Sequence, residues 1–370
     1  MGLSRKYANT ITQGPTPADV ARAPGLPYPS GWSALAFSDE LRPGTVLTRP
    51  LLGEDVVLYR LRTGGVRAVR PYCPHLGAHL GLAGLDGDDL VCPFHSFAFG
   101  PDGSCVRTGY GTPPPKAPLD AIPVHEVNGA VFVWRHHDGR EPDWRIPAWR
   151  AIAGLPTRHV TWEMAGNVQE VIENSVDIGH FATLHGWVRA ELGAPIAYEE
   201  TNFHVSMRVR ESAPLIGEFD VEVEVDGYGL ACLQAEIHTP RFGLRMYTQV
   251  MPTAIAPNRM QLRQANRVTV TEPSWSTPGL ARTVTRAVTR ALEWPLFRSS
   301  CAFTAADFPI WHHKRYQQPP RLGLGDGPIG AFRHWARKFY PAEGVESRSA
   351  AHADRSLERA APERVNSPGG

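Results

Sequence analysis

Apolar and polar residues alternate along much of this chain, and the period of the alternation changes from one region to the next. Between residues 28 and 134 the apolar runs are short: Asp55–Arg60, Val66–Arg70, Asp89–Val91 and Ala130–Trp134. Gly64-Gly65, Asp86-Gly87, Asp102-Gly103 and Asn128-Gly129 punctuate them. Short runs between turn dipeptides predict a small all-β unit. Farther on, Phe203, Val205, Met207 and Val209 alternate with polar residues, and Phe219, Val221, Val223 and Val225 alternate mostly with acids. A period of two with one apolar face predicts a half-buried antiparallel sheet. Leu244–Met251 and Met260–Thr271 extend it. Helices are predicted at Asn167–Phe181, Gly279–Leu292, Ala302–Tyr316 and Ile329–Tyr340. The last places Ile329, Phe332, Ala336 and Phe339 on one face.

These patterns divide the chain. Residues 1–27 are polar, carry Pro15, Pro17, Pro24 and Pro27, and read as an extension. Residues 28–140 form the β domain, and Gly139–Pro147, with its prolines and charges, reads as a linker. Residues 141–341 form a second domain in which sheet and helices segregate, an α+β arrangement. Residues 342–370 are rich in Ala, Glu, Arg and Ser with almost no large apolar side chain, and read as a disordered tail.

Composition narrows the function. Thirty-eight basic against 37 acidic residues leave a net charge of +1, so neither a nucleic-acid nor a membrane-surface field is implied. Five cysteines, an odd number in a chain of 370 residues, argue against a disulfide framework. No apolar run reaches the roughly 18 residues needed to span a bilayer, and no signal-peptide pattern opens the chain. A soluble cytoplasmic protein is expected.

Two motifs carry chemistry. The first is Cys73-Pro-His75 followed by Cys92-Pro-Phe-His95. Two thiolates and two imidazoles in two short loops are the ligand set of a Rieske [2Fe–2S] cluster, in which two histidines replace two cysteines on one iron. A single Zn²⁺ in a Cys₂His₂ site is the alternative. Pro74 and Pro93 stiffen the loops, and Gly77 and Gly81 are read as allowing close backbone approach to inorganic sulfide. His79 reads as an ordinary loop histidine, and Cys105, Cys232 and Cys301 as small buried hydrophobes.

The second motif is Asp177-Ile-Gly-His180-Phe-Ala-Thr-Leu-His185. His185 lies five residues beyond His180, and a regular helix would carry it well round the axis. Gly179 and Gly186 imply that the helix distorts or ends there. Two histidines from one segment plus one distant carboxylate make the facial triad of non-haem Fe(II) oxygenases. A helix with two unrelated histidines is the bland alternative.

Both motifs resemble those of the Rieske non-haem iron oxygenases, over roughly residues 28–341. Tyr72–Gly81 and Cys92–Phe99 look like that family's cluster loops, with Phe97 standing where many relatives carry Trp. The resemblance implies a helix-grip-like catalytic domain, an antiparallel sheet with flanking helices, after the Rieske domain. It implies that His180 and His185 bind the mononuclear iron and that Asp307, ahead of Ile310-Trp311, is the third ligand, with Pro309 starting or kinking the helix there. Asp177 would bridge a cluster histidine of a neighbouring subunit to an iron-bound histidine in a homotrimer, and Asn174 would face the iron. Asp326–Tyr340 looks like the C-terminal helix of the ketosteroid-hydroxylase and cholesterol-desaturase branch.

The expected function is therefore that of a terminal oxygenase. It would use O₂ and electrons from a ferredoxin or an NAD(P)H-dependent reductase to hydroxylate, desaturate or oxidatively cyclise a hydrophobic cyclic substrate. Arylamine N-oxygenation is an alternative reaction, and a pure Rieske electron carrier an alternative class. Arg282, Arg286 and Arg290 form a basic stripe, read as a solvated helix face, with docking of an acidic ferredoxin as the other possibility.

Overall fold

A computed structural model of the chain describes residues 26–155, 157–213, 216–271 and 278–342. The N-terminal extension up to residue 25 and the tail from residue 343 lie outside the described residues.

The first part is all β. Its strands are β1 (Gly31–Phe37), β2 (Val46–Leu51), β3 (Glu54–Arg60), β4 (Val66–Val69), β5 (Gly84–Asp86), β6 (Asp89–Val91), β7 (Ala98–Phe99), β8 (Cys105–Arg107), β9 (Ala121–Ile122), β10 (Val124–Val127) and β11 (Ala130–Arg135). They make three small sheets, ordered β1-β11-β10, β2-β3-β4-β9 and β5-β6-β7-β8. Strand β11 is buried from Ala130 to Trp134, which is why this run reads as continuously apolar. Val131 and Val133 pack with Leu35, Leu41 and Leu58, while Phe132 and Trp134 pack with Trp32 and Phe37 toward the second part.

The second part is built on one antiparallel sheet. Its strands are β12 (Arg158–Ala165), β13 (Arg189–Leu192), β14 (Ala197–Tyr198), β15 (Asn202–Ala213), β16 (Gly217–Tyr228), β17 (Cys232–Thr239), β18 (Leu244–Ala256) and β19 (Arg259–Val270). The order is β12-β19-β18-β17-β16-β15-β13, with β14 paired to β15. The alternation is realised: Phe203, Val205, Met207, Val209, Val221, Val223 and Val225 are all buried in one core. Helix α1 (Val168–Glu173), α2 (Pro278–His313) and α3 (Ile329–Ala336) complete it. Ile329, Phe332, Ala336 and Phe339 are buried as the period predicts. Among the described residues no helix is long and apolar enough to cross a membrane.

The two faces of β19 serve different partners. Met260 and Leu262 point into the core shared with Phe308 and Trp311 of α2. Arg263 and Arg267 point the other way and grip backbone carbonyls of the first part. Arg263 donates to the carbonyls of Ala34 and Leu35 over 2.9 and 2.6 Å, and Arg267 to that of Asn128 over 2.8 Å. Burial lowers both guanidinium pKa values to about 10. The predicted linker is also pinned: Ile146 is buried, and the Trp144 carbonyl accepts from Trp32 Nε1 over 2.9 Å.

Four expectations need correction. Residues 279–292 and 302–313 are not two helices but belong to one, α2, which contains Pro295 and Pro309, and residues 314–316 lie beyond its end. Each proline removes an amide donor and crowds the carbonyl four residues back, at about 3 kcal/mol. The helix persists because it buries Phe297, Ser300, Thr304, Phe308 and Trp311 along one side. Pro309 therefore lies inside the helix and does not start it. The predicted helix Asn167–Phe181 shortens to α1 and a separate turn. Of the three spare cysteines only Cys232 is buried; Cys105 and Cys301 are half-buried.

Candidate metal centres

The two cluster loops follow β4 and β6 and share one hydrogen-bond pattern. The amide of Cys73 donates to the Ala78 carbonyl and that of Cys92 to the Phe97 carbonyl, each over 2.9 Å. The amides of Gly77 and Ser96 return to the carbonyls of Cys73 and Cys92. The residue four beyond each cysteine is left-handed: Gly77 at φ 75° and Ser96 at φ 54°. Loop closure is thus what the Gly77 position demands. Gly81 is confined by protein, because a Cβ there would lie 2.2 Å from Thr48 Oγ1. His79 is held at both ring nitrogens, Nε2 3.3 Å from Asp55 Oδ2 of β3 and Nδ1 accepting from the Gly81 amide within its loop.

The four donors separate by type. Cys73 and Cys92 are buried together, and burial followed by the neighbouring Cys92 pushes the metal-free Cys73 thiol up to about 11. His75 and His95 lie half-buried with ring centroids 4.8 Å apart. Phe97 stacks on His75 at 4.1 Å. His95 Nδ1 is buried without a hydrogen-bond partner. Tetrahedral zinc would draw all four donor atoms to one point. Among the described residues the groups of three or more donors within 4.8 Å of one another are His180–His185–Asp307 and His136–His137–Asp138, not this quartet. A thiol pair beside an imidazole pair fits a two-iron cluster.

The second centre begins at α1. After Glu173 the chain turns, and Phe181–His185 form a π-helical turn closed by the Gly186 amide donating to the Phe181 carbonyl. Bonds from i to i+5 return a residue five positions on to the same side, which resolves the His180–His185 spacing. His185 Nε2 stands 3.4 Å from Asp307 Oδ2, and His180 Nε2 3.9 Å from Asp307 Oδ1. Both nitrogens of His185 are buried without a hydrogen bond, and its side chain is only 1% exposed. An imidazole so placed, next to a carboxylate and a second imidazole, suits a metal ligand.

The surroundings orient this set. Asn174 Nδ2 donates to Asp307 Oδ1 over 3.0 Å. His180 Nδ1 is 2.5 Å from the Asp177 backbone carbonyl, while the Asp177 carboxylate stands 3.7 Å from the same nitrogen. Within one chain the Asp177 carbonyl, rather than its carboxylate, thus holds His180. Burial opposes protonation of His180, but Asp177 and Asp307 outweigh it and its pKa is raised. Burial also opposes ionisation of Asp177, yet His180 outweighs it and holds that carboxyl below the ordinary range.

Sequence reasoning missed two supports. Phe303 stacks on His185 at 3.8 Å; it lies four residues before Asp307, so helical spacing could have found it. Glu173 forms a bidentate pair with Arg333 of α3, both contacts 2.7 Å, which no local spacing announces. Asp326 caps a turn, accepting from the Gly323 amide over 2.7 Å. Arg282, Arg286 and Arg290 are exposed on α2, as a solvated face requires.

The ring neighbours of His75 and His95 come from residues 94–110. Those of His180 and His185 come from residues 181–303. The two centres therefore sit in separate parts of the fold.

Comparison with known proteins agrees with this division. Residues 31–123 match the Rieske [2Fe-2S] domain, and residues 133–340 match the 3-Ketosteroid 9alpha-hydroxylase C-terminal domain. "Cholesterol 7-desaturase nvd" of Bombyx mori is 30% identical over 338 residues, covering 88% of this chain and 72% of that protein. The "Probable 3-ketosteroid-9-alpha-monooxygenase, oxygenase component" of Rhodococcus rhodochrous is 26% identical, covering 85% of this chain and 80% of that protein. In fold, the crystal structure of dicamba monooxygenase bound to dicamba aligns with a TM-score of 0.60 at 17% identity, covering 87% of this chain and 98% of that one. The chain belongs to the Rieske non-haem iron oxygenases, in the branch that joins a Rieske domain to a 3-ketosteroid 9α-hydroxylase C-terminal domain, and is an oxidoreductase whose cofactors are a Rieske [2Fe–2S] cluster and a mononuclear iron.

Proposed function

We propose that this chain is the terminal oxygenase of a multicomponent system that hydroxylates, desaturates or oxidatively cyclises a hydrophobic, steroid-like cyclic substrate. The observation that carries this reading is the convergence of His180, His185 and Asp307 in a chain that also holds the Cys73–His75–Cys92–His95 set. A carrier needs only the second set. The named activities of the desaturase and ketosteroid relatives support the substrate class.

In this reading Cys73, His75, Cys92 and His95 hold the cluster, and His180, His185 and Asp307 hold the iron, with the cluster domain spanning residues 28–140 and the catalytic domain residues 141–341. When bound, the cluster supplies single electrons and the iron supplies activation of O₂. The protein's own part is orientation. Asn174 fixes the Asp307 carboxylate, the Asp177 carbonyl fixes the tautomer and tilt of His180, and the apolar sheet face excludes water.

The electrons enter from a ferredoxin or NAD(P)H-dependent reductase in the cytoplasm, and the working unit is a homotrimer in which Asp177 bridges to the neighbour's cluster. Supporting this, Tyr72, Leu76, Leu82, Phe94 and Tyr110 are exposed around the cluster loops, a concentration of apolar surface typical of an interface. Leu322 and Leu324 are exposed beside the Asp177 segment. Their loop is seated closely there, since a Cβ at Gly327 would lie 1.7 Å from the Val176 carbonyl oxygen.

Metal analysis with O₂-consumption screening tests the reading. An oxygenase holds about three irons per chain and a carrier about two. A fully loaded sample lacking the third iron, or showing no substrate-dependent O₂ uptake across steroid-like compounds with a surrogate reductase, sinks it. The bridge is tested by Asp177→Asn, which is expected to keep both metals and lose nearly all turnover; wild-type turnover refutes it.

A further inference from the structure

His180, His185 and Asp307 converge as one donor set, but they are not held alike. Asp307 accepts from Asn174 Nδ2 over 3.0 Å, and His180 Nδ1 meets the Asp177 carbonyl at 2.5 Å. His185 has no such support: among the described residues neither of its ring nitrogens has a hydrogen-bond partner. The Asp307 carboxylate, 3.4 Å from Nε2, is a fellow donor of the set. The His185 side chain is only 1% exposed, so bulk water does not reach the ring to hold it. A ligating histidine ordinarily fixes its ring through a hydrogen bond at the nitrogen the metal leaves free. For His185 the tilt of the ring must come from packing.

Aromatic rings supply that packing. Phe303 lies flat against the imidazole, with centroids 3.8 Å apart and planes 15° apart. The other rings beside His185 stand at steeper angles, Phe181 at 39° and His180 at 73°. Trp187 closes the group: it stacks on Phe181 at 4.3 Å and leans on Phe303 at 5.4 Å. Its indole is tied by a hydrogen bond to the Glu211 carboxylate of β15. Phe303 is only partly buried at the edge of the core. A leucine would fill that edge, but it would not supply a flat face. Phe303 lies four residues before Asp307 in α2, so one helix side carries a ligand and the ring that faces a second ligand.

We propose that Phe303 is the positioning residue of His185, its ring standing in for the hydrogen bond that the imidazole lacks and favouring the metal-bound state. This rests on the reading above, in which His185 holds iron. The preference has a physical source. Tilting the imidazole out of its present plane forfeits the face-to-face contact with the phenyl ring. A divalent ion on one nitrogen also draws electron density from the imidazole, and a more positive ring gains more from the negative face of the phenyl. The stack is therefore stronger with metal bound than without it. A contact that differs between the two states shifts the equilibrium between them, so Phe303 raises ferrous-iron affinity while it orients the ligand.

The test is ferrous-iron affinity, by chelator competition on the full chain with its Rieske cluster intact, together with the EPR spectrum of the ferrous site's nitric oxide adduct. Phe303→Leu keeps an apolar side chain and removes the flat face. It is expected to weaken iron binding about three- to tenfold and to broaden or split the adduct spectrum, as His185 takes more than one tilt. Phe303→Tyr keeps the face and should return both readouts to wild type. A space-filling role alone would lower the Tm of the leucine variant and leave the adduct spectrum unchanged. Rieske absorption and thermal unfolding report folding; if the leucine variant does not fold, Phe303→Met takes its place with the same expectation. Wild-type affinity or a wild-type adduct spectrum in the folded variant, or equal losses in the tyrosine variant, overturns the inference and leaves the proposed function standing. Retention of the iron in His185→Ala overturns the assignment of His185 as a ligand, and the inference with it.

Discussion

Replacing Asn174 by Leu probes how the iron site is held. The side chains are similar in volume, so no large cavity opens, but the Nδ2 donor 3.0 Å from Asp307 Oδ1 is lost. Asp307 is only 8% exposed on its side chain, so water replaces that donor poorly. A hydrogen bond to a charged group is worth about 1.5–3 kcal/mol, and each ~1.4 kcal/mol is a factor of ten in affinity. Ferrous-iron affinity should therefore fall by about ten- to a hundredfold, the range seen when a ligand's outer hydrogen-bond partner is removed. The assay is competition with a ferrous chelator on protein whose Rieske cluster is intact, with the cluster's absorption as internal control. Affinity within about twofold of wild type would show that Asn174 does not orient the ligand. Loss of the cluster spectrum would show instead that it supports the whole fold.

Three further outcomes are expected. His180→Ala should lose the mononuclear iron while the Rieske optical spectrum persists; disappearance of the cluster signal would mean the two ligand sets are misassigned. Arg333→Leu leaves Glu173 buried without its bidentate partner, the two side chains being 11% and 6% exposed, and should destabilise by about 3–5 kcal/mol. Thermal unfolding should shift down by about 6–20 °C, and a Tm within about 2 °C of wild type would remove the pair from the account. Burial raises the Glu170 pKa, opposed in part by Lys314 3.2 Å away. Such a group contributes stability that is full below the ordinary carboxylate pKa and is lost as pH rises through the raised value. Glu170→Gln should therefore gain on wild type as pH rises from 4 to 8 in denaturant titrations, and a pH-independent difference would refute the sign.

The elements that local pattern predicted well are those whose burial follows directly from backbone geometry. Strands β15 and β16 alternate because successive side chains point to opposite faces. The α3 stripe recurs because helical neighbours share a side. The sequence pattern divides α2 in two around Pro295, a local stop signal, and local signals do not include the packing that overrides it. The Rieske loops were legible for a related reason: each brings its ligands within a few residues, and the loop closes on itself through Cys73–Ala78 and Cys92–Phe97 hydrogen bonds.

By itself the sequence determined the two short motifs that carry the proposed ligands, the antiparallel sheet and the apolar faces. Tertiary structure alone decided that His180 and His185 share one side through a π-helical turn, and that Asn174 meets Asp307 across 133 residues of chain. It also decided that Arg263 and Arg267 grip the first domain. Periodicity records which face of an element is buried, since that is set by the backbone's own repeat. Which residues meet across that buried space depends on how distant elements pack, and no local spacing carries that information.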